Sequence, residues 1–238
     1  MRRSFISVSW TPGVDVDDAG LLIRTIEDIY DLLRPHFGRP GQFDPLPTVR
    51  VFGDWMIPAM PPQSAYSSMD WYMRRSLDDS QAFILASRYL RMVSLEPWQA
   101  SYPHLDLCLT NWPIHNDLPE QDRAYEAMGF SRRGLVSLVS THRLGGIDSL
   151  ALRRLALRHL FAHYIGQMFD VPDPARAEHI VEVAGDVYCD STCALRFTPS
   201  PEDALKFGQQ QAARGLVFCK RCQRDLVARL TGYHYGLN

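Results

Sequence analysis

The chain has 238 residues, enough to bury a substantial core as one large domain. With 46% hydrophobic and 22% charged residues and a formal net charge of -2, its composition is that of a soluble globular protein. That balance excludes a disordered chain and gives no electrostatic reason to expect nucleic acid or an anionic membrane as partner.

No apolar run approaches the roughly 20 residues that span a bilayer. Asp15, Asp17 and Asp18 interrupt any signal-like amino terminus, so a cytoplasmic protein is expected. Residues 5–10 alternate as a strand does, and Pro12-Gly13 ends it. Leu21, Leu22, Ile26, Ile29, Leu32 and Leu33 have helical spacing over 17–34, stopped by Pro35. Residues 49–53 read as a short strand, and the proline-rich 57–62 as an irregular loop. The spacing predicts a second amphipathic helix over 80–95.

Residues 104–110 and 134–140 read as strands. The polar, acidic connection between them, 116–133, reads as an edge strand or a cleft rim. A third helix is expected from the cap at Asp148-Ser149 to about Phe169. This order implies an α+β fold, a mixed β-sheet with packed helices. One domain is expected, with residues 1–169 forming an amino-terminal subdomain and 170–238 a smaller carboxy-terminal one. Trp55, Trp71, Trp98 and Trp112 read as core or cleft-wall residues. Glu120, Asp122 and Glu126 read as a solvated loop, and Tyr233-His234-Tyr235 as an exposed tail.

Four of the five cysteines fall in two close pairs, Cys189/Cys193 and Cys219/Cys222, while Cys108 stands alone and reads as a buried apolar residue. A disulfide framework would scatter its cysteines. Two short-spaced pairs instead let four thiolates reach one Zn²⁺, closing its coordination shell and making the site structural. Lys220, Arg221 and Arg224 beside the second pair are expected to favour the thiolates.

His159 and His163 lie four apart in the third helix, so both imidazoles project from one face. With Gly166 they form the skeleton of the zinc-protease pattern H-E-x-x-H-x-x-G-x-x-H. Leu160 stands where that pattern has its general base, and Phe169 where it has its third histidine. Leucine cannot accept a proton, a loss of about 10²–10⁴ in rate. A metal at the two histidines would need a further ligand from 170–182, with Asp170, Asp173, Glu178 and His179 the candidates.

These motifs resemble the archaemetzincins, a metzincin-type zinc metallopeptidase family that joins its histidine helix to a four-cysteine site. Cys189, Cys193, Cys219 and Cys222 match those cysteines, and Leu195 stands at the methionine of the C-x-M step. The resemblance also covers the strands before the helix. Departures are the base, the third histidine, the shorter first cysteine spacing, and an insertion that puts Cys189 twenty positions after Phe169. The resemblance implies a metzincin-like fold with the insertion at the cleft. The expected function is a catalytically inactive relative with one structural zinc, binding a protein or peptide in the vestigial cleft. The alternative is a zinc metallopeptidase or hydrolase with a rearranged site, in which His179 or an aspartate completes the ligands and Glu178 or Glu182 is the base.

Overall fold

The computed structural model describes residues 5–37, 45–54, 68–115 and 126–235. Its first half runs β1 (Phe5–Trp10), α1 (Val16–Leu33), β2 (Thr48–Gly53), α2 (Met69–Ser76), β3 (Ile84–Leu85), α3 (Ala86–Ser94), α4 (Pro97–Ser101) and β4 (Leu105–Thr110). Then follow β5 (Ile114–His115), β6 (Glu126–Ala127), β7 (Gly129–Arg132), β8 (Val136–Ser140) and α5 (Leu150–Met168). The chain closes with β9 (Ile180–Val183), β10 (Asp186–Cys189), α6 (Pro201–Arg214) and α7 (Lys220–Tyr235).

The main sheet has the order β2-β1-β4-β8-β7. Its first four strands are parallel, and β7 pairs antiparallel to β8 at one edge. Parallel strands covered on both faces are apolar on both. Ile6, Val8, Leu105, Leu107 and Leu109 accordingly join one core with α1 and α5, whereas Cys108, Val136 and Leu138 join a second with α2 and α3. Cys108 is fully buried, and burial pushes its thiol up to about 12.

Helix α5 begins where Ser149 Oγ accepts the Leu152 N–H, as the cap predicts. From Ala156 to Met168 every residue but Arg158 is buried, so this is a core helix rather than a surface one. A bidentate ion pair from Arg153 to Asp18, at 2.7 and 2.5 Å, ties it to α1. Helix α6 crosses at Gly208, where a Cβ would lie 2.3 Å from the Leu155 carbonyl oxygen.

Several elements differ from expectation. Helix does not fill 80–95: Asp78 Oδ1 accepts the Ala82 and Phe83 N–H groups, and β3 intervenes before α3. A carboxylate that captures nearby amides offers the backbone an alternative to a helix. Tyr233 is not on an exposed tail but is buried at the end of α7. Trp112 is 37% exposed, whereas Trp71 and Trp98 pack against the second core. The 57–62 loop, Trp55, Glu120 and Asp122 lie outside the described residues.

Gly208→Ala should lower stability by about 1–3 kcal/mol, because the obstruction is backbone and cannot rotate away. A urea midpoint equal to that of the wild type would contradict the close crossing.

Candidate functional site

The four cysteines converge from three places. Cys189 ends β10, Cys193 sits in the turn that follows, and Cys219 and Cys222 flank the start of α7. The turn is fixed by the Cys189 N–H donating to Leu195 O at 2.8 Å and the Ala194 N–H donating to Val217 O at 2.9 Å. The four sulfurs lie within 4.8 Å of one another, and all four are free thiols. Cys189 Sγ is 3.8 Å from Cys219 Sγ. A tetrahedral site with Zn–S bonds of about 2.3 Å has sulfur–sulfur edges of about 3.8 Å. The donor set and its spacing therefore fit one zinc ion.

Crowded thiols cannot all ionise without a cation. Hydrogen bonding among the sulfurs pulls Cys189 and Cys219 below the ordinary thiol value and pushes Cys193 and Cys222 above it. The guanidinium found at the cluster is Arg176, whose Nη1 lies 3.7 Å from Cys222 Sγ. Lys220 and Arg224, expected in that role, are exposed. Arg176 was not legible because no fixed spacing ties it to a cysteine.

His159 and His163 lie together, their ring centroids 6.3 Å apart. Both are buried, and both are held by protein. His159 Nε2 is 2.9 Å from Thr198 Oγ1, and its Nδ1 is 2.9 Å from Gln211 Nε2. The Gln211 amide donates to Nδ1, so Nε2 carries the proton and donates to Thr198. The Thr198 hydroxyl in turn donates a hydrogen bond to Arg196 O at 2.9 Å, which satisfies the chain of bonds. His163 has the opposite tautomer, donating from Nδ1 to Ala194 O at 2.8 Å. Burial lowers the pKa of His159 to about 3 and that of His163 to about 4, so both rings are neutral. Gln211 reaches His159 from a helix that sequence periodicity did not identify.

No third ligand joins the imidazoles among the described residues. Among the described residues, the four cysteines are the one group of three or more His, Cys, Asp or Glu side chains gathered closely enough to hold a metal. Asp170 is paired with Arg133 and Arg229, Asp173 with Arg229, and His179 with Asp190. Glu178 and Glu182 are exposed. Leu160 and Phe169 are buried in the core.

Gly166 is helical, and a Cβ there would come within 2.4 Å of Leu195 Cδ2, so its bare hydrogen admits Leu195 beneath the helix. The helix runs two residues beyond Gly166 to Met168, Phe169 caps it, and the chain turns at Asp170, with φ +61°. The insertion then forms the β9–β10 hairpin. Its residues Ala184, Gly185, Asp186 and Tyr188 wall a cleft of about 350 Å³ whose other side includes the edge strand β7. Tyr188 stacks on His163 with centroids 5.9 Å apart. The charged lining residues Arg133 and Asp186 pair with each other at 3.2 Å, and Gln167 Nε2 donates to Asp186 at 3.3 Å.

No protein-family model and no curated protein matches this chain. Solved structures similar to it include the two that follow. One is the archaemetzincin from Methanopyrus kandleri, with a TM-score of 0.58 and 16% identity over 96% of each chain. The other is a zinc-dependent peptidase from Methanocorpusculum labreanum, with a TM-score of 0.53 and 17% identity over 93% of this chain and 99% of that one. The fold is archaemetzincin-like, and its four cysteines form a group that can hold one metal ion. None of the helices is long and apolar enough to cross a membrane, among the described residues.

Unfolded imidazoles titrate near 6.5. The folded values are lower, so the unfolded chain binds more protons between them, and stability rises as pH is raised through that range. The contribution is full above about pH 6.5 and is lost as pH drops toward the folded values, roughly 1 kcal/mol per ring by pH 5.5. Urea midpoints measured from pH 7 to 5.5 should fall more steeply in the wild type than in His159→Asn. Equal slopes would contradict a buried neutral His159.

Proposed function

We propose that this chain is a non-catalytic archaemetzincin-fold protein, built on one structural zinc at Cys189, Cys193, Cys219 and Cys222, whose cleft binds a peptide segment. The observation that carries the loss of chemistry is the state of His159. Both of its ring nitrogens are bonded to protein, to Thr198 and Gln211. A metal bound at either nitrogen would have to break one of those buried bonds, which costs about 1–3 kcal/mol for each polar group left unsatisfied. Leu160 supplies no base and Phe169 no ligand, and both contribute to the core instead.

The cleft persists without the chemistry. Its Arg133–Asp186 pair is internally neutralised, which favours an uncharged occupant. Tyr164, Tyr188, Phe130 and Phe197 supply aromatic surface, and β7 is an edge strand along which an extended peptide can align.

Metal analysis of the purified protein should find about one zinc per chain, retained in a His159→Gln/His163→Gln double variant, with no cleavage of casein. Two zincs per chain, with one lost in the double variant, or sustained peptide cleavage abolished by it, would overturn this reading.

A further inference from the structure

The insertion after α5 has two destinations. Its hairpin tip, Ala184-Gly185, reaches the cleft, while the turn before β9 reaches back to the cysteines. That turn is braced by the Arg176 N–H donating to Asp173 O at 3.0 Å and the Ala175 N–H donating to Asp173 Oδ1 at 2.9 Å. It delivers the Arg176 guanidinium to three acceptors. Nη1 lies 3.7 Å from Cys222 Sγ and 3.0 Å from Asp225 Oδ2, and Nη2 lies 2.7 Å from His179 O.

The Arg176 side chain is only 13% exposed, and a guanidinium so withdrawn from water needs opposing negative charge. Asp225 supplies one such charge. Four thiolates on one Zn²⁺ carry a net charge of -2 and supply the rest. An N–H···S bond to a zinc-bound thiolate draws off electron density and restrains the sulfur, as outer partners of metal ligands generally do.

We propose that Arg176 is a positioning residue of the cysteine centre, donating to the Cys222 thiolate and, through His179 O, fixing the start of β9 to the metal. Cys189 fixes the end of β10, so both feet of the cleft-walling hairpin stand on the same ion. This inference rests on the zinc reading above.

The test uses the full chain loaded with zinc or with cobalt(II). In Arg176→Ala, release of zinc to a chromogenic chelator should be about 10-fold faster or more. Arg176→Lys should fall between it and the wild type, because an ammonium cannot span all three acceptors. With cobalt, loss of the hydrogen bond should move the thiolate-to-metal charge-transfer bands to lower energy in Arg176→Ala. Asp225→Asn, which removes the ion pair and keeps the N–H···S bond, should leave them in place. Wild-type release and bands in Arg176→Ala would overturn the proposal, as would an equal band shift in Asp225→Asn. A wild-type protein that binds neither metal stoichiometrically would overturn the zinc reading itself, and this inference with it.

Discussion

Four cysteine sulfurs within 4.8 Å of one another can all ionise only if a cation offsets their charge. The carboxy-terminal part of the chain is arranged around that requirement. The end of β10, the turn through Ala194 and the first turn of α7 are mutually placed by backbone hydrogen bonds that bring the sulfurs to zinc-like spacing. The same turn carries Leu195 under α5 and offers Ala194 O to His163. The cysteine cluster and the histidine helix thus share one short segment.

That shared segment also bears on how the two histidines are held. With leucine and phenylalanine in place of a base and a ligand, the helix face is nearly all apolar, and burying it is favourable at about 25 cal/mol per Å². Two imidazoles left in such a face must find partners, since an unsatisfied buried polar group is costly. Gln211 and Thr198 satisfy one, and Ala194 O the other. The two imidazoles are thus hydrogen-bonded core residues. The cleft beside them has an edge strand, an aromatic lining and a hairpin as one wall.

Legibility in the sequence followed the range of the interactions. The strands 5–10, 105–110 and 136–140 and the long helix were readable because each carries its own periodicity or cap. The gathering of the four cysteines was readable because their two close pairs have the local spacing that metal ligation imposes. Helix α6 was not identified: Gly208 and Gln211 look like poor core residues until the crossing with α5 gives each a purpose. Arg176 was equally hidden, since its partner Asp225 lies 49 positions away along the chain. The helix expected over 80–95 failed for a local reason, the capture of two amides by Asp78.

The central claim is that the metal resides at the cysteines and that none is held by the histidines. Crystals of the protein grown with zinc, measured on both sides of the zinc absorption edge, test it directly. One anomalous peak among Cys189, Cys193, Cys219 and Cys222, with no density at His159 and His163, is the predicted result. A second peak bonded to the imidazoles, with Gln211 or Thr198 displaced, would contradict it.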